Sequence, residues 1–228
     1  MRITDVRLWT IDYDEIDAHV GGTPPERSRP QNETFCVEIE TDAGVSGIAA
    51  NRGGGATACD LIDTYFRPIL VGADPAETER LWRAMWDALP TARGGLTYMA
   101  ISGVDLALWD LKAKAVEEPV YYLLGGRVRE ALPCYVTVRR EAMAELADEG
   151  FLGVKLPVNT PPASGRRGLR DVEAMVAEAR AVWGEDAEVM LDCFMEWDRE
   201  YTVRAAERLQ PYGLKWIEDP LDADHTVD

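Results

Sequence analysis

Two short apolar runs, Val189-Met190-Leu191-Asp192-Cys193 and Leu214-Lys215-Trp216-Ile217-Glu218-Asp219-Pro220, put the tightest limits on what this chain can fold into. Each carries a carboxylate at its end, and the two carboxylates lie one strand-helix unit apart. If both runs are parallel strands of an α/β barrel, Asp192 and Glu218 emerge at the carboxyl ends of adjacent strands, where barrel enzymes build their sites. Two hard oxygen ligands converging there suit Mg²⁺. The same spacing also describes ordinary strand-end acids facing solvent.

The stretch leading to these runs changes period twice. Residues 2–13 and 34–41 alternate apolar and polar side chains, and Asp42-Ala43-Gly44 turns the second run into 45–50, which predicts an antiparallel meander. Residues 14–32, rich in Gly, Pro and charge, read as a mobile loop between the first two strands. Helical periodicity follows over 57–70, 76–89 and 98–116, the last with Ile101, Val104, Leu108, Leu111 and Ala115 on one stripe, and Gly125-Gly126 stops the segment. From Pro133 onward, strand-like runs at Cys134–Val138, Gly153–Pro157, Glu188–Cys193 and Leu214–Glu218 alternate with amphipathic stretches such as 170–183, the pattern of a parallel sheet with helical crossovers. Four strands fit in these residues, whereas a closed eightfold barrel takes roughly 250 residues. The expected architecture is an α+β N-terminal capping domain over residues 1–128, followed by the first half of an α/β (TIM-type) barrel over residues 129–228.

Charge narrows the partners. A formal net charge of −17 repels phosphate backbones and anionic lipid, so neither nucleic acid nor a membrane surface is expected as a partner. Small molecules and other protein subunits remain. Four lysines stand against 20 arginines, a balance that suits a halophilic protein, whose acidic surface is screened by salt, and equally a GC-rich genome. Cys36, Cys59, Cys134 and Cys193 show no C-x-x-C pairing and read as core thiols in a reducing compartment. With no signal-peptide pattern and no apolar run of about 18 residues, a cytoplasmic location is expected.

Several segments together carry a family resemblance: Ile101-Ser-Gly-Val-Asp-Leu-Ala-Leu-Trp-Asp-Leu111, Glu118-Pro-Val-Tyr-Tyr-Leu-Leu-Gly-Gly126, Gly150-Phe-Leu-Gly-Val-Lys-Leu-Pro157, Leu191-Asp-Cys193 and Lys215-Trp-Ile-Glu-Asp-Pro220. In this order the chain resembles the enolase superfamily, and within it the acid-sugar dehydratases of the mandelate racemase/muconate lactonizing enzyme group, the rhamnonate dehydratase-like enzymes above all. The resemblance implies Mg²⁺-assisted abstraction of the proton α to a carboxylate, an enediolate, and loss of the β-hydroxyl to give a 2-keto-3-deoxy acid in sugar acid catabolism. It also implies a homo-oligomer at full length, acting on a small-molecule sugar acid. Alternatives are a racemase or cycloisomerase of the same superfamily, and a catalytically inactive truncated fragment. On its own the 228-residue chain is expected to be inactive, since the family's third metal ligand and its usual His-Asp base belong to later strands.

The same resemblance assigns residues. Asp192 and Glu218 match the first two metal ligands. Lys155 lies where the wider family places a base or an orienting cation, but Pro157 replaces the second lysine of Lys-x-Lys, so Lys155 is assigned a binding or electrostatic role; covering the barrel rim is its alternative. His19 and Arg29 fall in the cap loop that closes over the barrel mouth, where a substrate contact and an exposed loop position are both open. The turn Asn51-Arg-Gly-Gly-Gly55 fits neither G-x-G-x-x-G nor G-x-x-x-x-G-K-[ST], and it makes Arg52 a second-tier substrate contact rather than a nucleotide ligand. Cys193 and Trp216 are expected to pack in the core.

Overall fold

The computed structural model describes residues 1–12 and 33–223. The chain divides into two compact units, Met1–Glu130 and Ala131–Asp228. The expected cap loop over 14–32, with His19 and Arg29, lies outside the described residues.

In the first unit, β1 (Ile3–Asp12), β2 (Glu33–Thr41) and β3 (Ser46–Arg52) form the antiparallel meander in chain order. The β2–β3 turn closes through Gly44, whose φ of 74° suits a residue without Cβ, and through the Thr41 hydroxyl donating to the Val45 carbonyl at 2.7 Å. Helices α1 (Gly55–Leu61), α2 (Arg67–Leu70), α3 (Thr78–Ala88) and α4 (Gly95–Ala115) follow. The helix expected over 57–70 is interrupted by a π-helical turn at Ile62–Phe66. Pro68 accounts for it: the ring has no N–H to donate and would collide with the carbonyl of Thr64 in a regular helix, so the backbone widens there. Ile101, Val104, Leu108 and Leu111 are all buried as the stripe on α4 predicts, whereas Ala115, in the last turn of the helix, is exposed.

The packing of α4 on β3 explains two parts of the sequence motif. Gly47 admits the helix so closely that a Cβ there would lie 2.1 Å from the Ala107 carbonyl oxygen. Asp110 accepts a hydrogen bond from the backbone N–H of Ile48 at 2.8 Å, capping a donor on the free edge of the sheet, and pairs with Lys114 at 2.6 Å. Asp110 is thus a packing residue of the capping unit.

In the second unit, β4 (Val136–Thr137), β5 (Gly153–Pro157), β6 (Glu188–Asp192) and β7 (Trp216–Glu218) form one parallel sheet in chain order. Helix α6 (Gly165–Trp183) connects β5 to β6 and α7 (Arg199–Leu209) connects β6 to β7; a short α5 (Val120–Leu123) ends the first unit. One face of the sheet, with Val138, Val154, Leu156, Val189 and Leu191, packs on Leu169, Val172, Val176 and Ala179 of α6 and on Tyr201, Ala205 and Leu209 of α7. Period-two alternation sends the intervening residues to the opposite face. Of the four cysteines, Cys36 and Cys193 are buried as expected, but Cys134 is exposed because β4 is shorter than the run Cys134–Val138 predicts.

Candidate metal centre on the parallel sheet

The face away from the helices carries Lys155, Asp192 and Glu218. In-register pairing places Thr137 beside Lys155, Lys155 beside Met190 and Met190 beside Trp216 in one layer, with Pro157, Asp192 and Glu218 in the next. Asp192 and Glu218 are direct register partners at the carboxyl ends of β6 and β7.

One cation joins them. The Lys155 ammonium lies 3.0 Å from Asp192 Oδ2 and donates to Glu218 Oε1 at 2.9 Å, with Lys155 only 8% and Asp192 9% exposed. Burial opposes the charge on Lys155, yet its hydrogen bonds to Glu218 and Asp192 and the charge of both carboxylates outweigh it and raise its pKa. The hydrogen bond from Lys155 lowers the pKa of Glu218 against the opposing effect of burial, helped by the Trp216 indole. A raised lysine and a lowered carboxylate are both ionised across the neutral range. The thiol of Cys193, buried beside these acids, is pushed up to about 12 and stays protonated there.

Below the carboxylates the same face of the sheet is aromatic. Tyr135, just before β4, meets Trp216 of β7 edge to face at 5.6 Å, although two strands separate theirs; the sheet is curved enough for its outer strands to touch across this face. Lys155 lies over the Tyr135 ring at 6.0 Å. The Trp216 indole N–H donates to Glu218 Oε2 at 3.1 Å. The expectation that Trp216 packs in the core is therefore corrected: it lies two residues before Glu218, and alternation puts both on the same face. Cys193, one residue past Asp192, does face the core.

The backbone fixes the rim. Val158 N donates to the Asp192 carbonyl at 2.8 Å and Cys193 N to the Glu218 carbonyl at 3.0 Å; Met195 N reaches Asp219 O at 2.7 Å and Trp197 N reaches Pro220 O at 2.9 Å. Phe194, Met195 and Asp219 hold left-handed φ values of 50°, 61° and 40°, the local strain that strand ends at functional sites carry. Asp192 and Glu218 are thus set on clamped ends.

Two paired carboxylates that already share one cation are a suitable hard-oxygen donor set for Mg²⁺. Among the described residues no group of three or more His, Cys, Asp or Glu side chains is arranged to hold a metal ion. The structure gathers Lys155, Asp192 and Glu218 in one place. Arg52 ends β3 in the other unit and is exposed, while His19 and Arg29 lie outside the described residues.

Comparison with known proteins bears on this arrangement. Residues 26–125 match the family model for the mandelate racemase/muconate lactonizing enzyme N-terminal domain, and residues 137–228 match the enolase C-terminal domain-like model. The chain is similar to the crystal structure of L-rhamnonate dehydratase from Gibberella zeae, with 33% identity and a TM-score of 0.83 over 99% of this chain and 60% of that one. It is similar to the Mg complex of rhamnonate dehydratase from the same organism (31% identity, TM-score 0.81, 99% and 61% of the two chains). A racemase from Streptomyces coelicolor A3(2) with bound magnesium matches at 29% identity and a TM-score of 0.79, over 97% of this chain and 63% of the other. This chain belongs to the enolase superfamily, with an α+β capping part and the first strands of a TIM-type barrel. It spans about 60% of the length of these relatives. No helix among the described residues is long and apolar enough to cross a membrane.

Proposed function

We propose that the face carrying Asp192, Glu218 and Lys155 belongs to a Mg²⁺-dependent acid-sugar dehydratase, a hydro-lyase that removes the proton α to a carboxylate and expels the β-hydroxyl to leave a 2-keto-3-deoxy acid. The observation that carries this reading is the convergence of two register-paired carboxylates on one ammonium at the carboxyl edge of a parallel sheet. The resemblance to an L-rhamnonate dehydratase supports it.

An α-proton of a carboxylate is very weakly acidic, and a bound divalent ion would offset the negative charge that grows on the substrate as that proton leaves. Asp192 and Glu218 would hold that ion. Lys155 keeps the two carboxylates together and adds a fixed positive charge to the same small volume. Held in two ion pairs with a raised pKa, Lys155 is a poor base at neutral pH, which supports its binding or electrostatic role. The proton acceptor and the third oxygen ligand are then groups outside the described residues. The partner in this reading is a small sugar acid.

Product analysis decides the reaction. Incubation with Mg²⁺ and a panel of aldonates gives a 2-keto-3-deoxy acid if the reading holds. Inversion of a stereocentre without loss of water would instead establish the racemase alternative, which the similarity to the magnesium-bound racemase keeps open. No conversion of any kind by a chain with a complete barrel would sink both; from these 228 residues alone, which are expected to be inactive, it would not.

A further inference from the structure

The layer that holds the two carboxylates has an unexplained neighbour. Lys-x-Lys would place a second cation at residue 157, but Pro157 stands there, and it pairs in register with Asp192. On the adjacent strand, Thr137 pairs with Lys155 and Val138 N still donates to the Lys155 carbonyl at 3.1 Å, so the same register carried two residues past the ladder sets Arg139 level with Pro157. The backbone at Arg139 is still extended (φ −67°, ψ 155°), and Val138 between them is buried on the helix-covered face, so alternation turns Arg139 toward the face of Lys155, Asp192 and Glu218. Arg139 is half-buried, and its Nε is fully buried without a hydrogen-bond partner.

A buried guanidinium N–H without a partner is costly unless an acceptor meets it. Among the described residues, neither ion pairs nor side-chain hydrogen bonds satisfy it, whereas Lys155 is neutralised by two carboxylates. Its planar fork matches a carboxylate with two parallel hydrogen bonds.

We propose that Arg139 binds the carboxylate of the acid substrate, supplying from β4 the positive charge that Pro157 does not supply from β5. This inference rests on the proposed dehydratase reading and deepens it.

The test compares, in the presence of Mg²⁺, the binding of L-rhamnonate and the other aldonates of the panel with that of the matching alditols, in which a hydroxymethyl group replaces the carboxylate. Calorimetric titration of the wild-type chain is expected to show a preference for an acid over its alditol. Arg139→Gln is expected to weaken acid binding by about tenfold or more while leaving alditol binding unchanged, as loss of a charge-assisted bidentate contact predicts. Arg139→Lys, which keeps the charge but not the fork, falls between and serves if the Gln variant does not fold. A merely structural Arg139 would lower the thermal midpoint and affect acid and alditol alike, which overturns the assignment. A wild-type preference that survives intact in Arg139→Gln also overturns it, and leaves the dehydratase reading standing. Failure of the wild-type chain to prefer any acid over its alditol overturns the assignment of Arg139, whereas the dehydratase reading is decided separately by product analysis.

Discussion

The indole nitrogen of Trp216 donates to Glu218 Oε2 at 3.1 Å while Lys155 donates to Oε1 of the same carboxylate at 2.9 Å, so each Glu218 oxygen has its own donor. The side chain is oriented at both ends. Trp216→Phe keeps the ring against Tyr135 but removes one donor, and is expected to cost about 1 kcal/mol of folding stability. Denaturant unfolding of the variant measures it, and an unchanged midpoint would show that the indole bond contributes nothing.

Lys155 is the counter-ion of two carboxylates, two of the three groups being nearly buried. Lys155→Met leaves Asp192 and Glu218 facing one another and is expected to destabilise the chain by about 3 kcal/mol in the absence of divalent ions. Mg²⁺ should then raise the thermal midpoint of the variant more than that of the wild type, because it relieves a repulsion that the wild type does not have. Equal shifts in the two proteins would argue against Asp192 and Glu218 as the ion's ligands.

Asp105 on α4 has a raised pKa, chiefly from burial and secondarily from the charge of Glu79. A carboxylate whose folded pKa is raised holds its proton more tightly in the folded state, so stability falls as pH rises through that value. Asp105→Asn removes the penalty: the variant should be more stable than the wild type at neutral pH, and the difference should shrink as pH falls from the raised folded pKa towards about 4 and be gone below it, where the carboxylate is protonated in both states. Thermal midpoints of both proteins across this range check the sign. A variant less stable at neutral pH would contradict it.

Gly47 is a close-approach glycine, and a Cβ at this site meets the Ala107 carbonyl oxygen and the Leu111 Cβ at 2.1 and 2.5 Å. Backbone on the helix side cannot rotate away. Gly47→Ala should therefore separate β3 from α4 and cost at least about 2 kcal/mol. Gly44→Ala, which meets nothing within 4 Å, is a control for strain without collision, since its φ of 74° is unfavourable for alanine.

The parallel sheet and its paired acids were legible because β6 is an unbroken apolar run ending in its carboxylate, a pattern that depends on burial of both faces. Trp216 was legible too in principle, since a separation of two from Glu218 fixes its face. Arg139 and Tyr135 were not: only two residues of β4 are ladder-paired, too few for a period to show, and their relation to Lys155 depends on a register between strands that no local pattern encodes. The π-helical turn before Pro68 was hidden for another reason. Apolar periodicity continues through it, and only the missing N–H of the proline marks the place where the hydrogen bonding must change.

Strand β6 answers to two different demands on alternate residues. Val189 and Leu191 are held by the helices behind the sheet, while Met190 and Asp192 lie on the opposite face. A saturation scan of Glu188–Asp192 would separate into two interleaved records, one of packing against the helices and one of the ion pair with Lys155. Substitutions on one face therefore report apolar packing and those on the other report charge pairing, two kinds of stability carried by the same five residues.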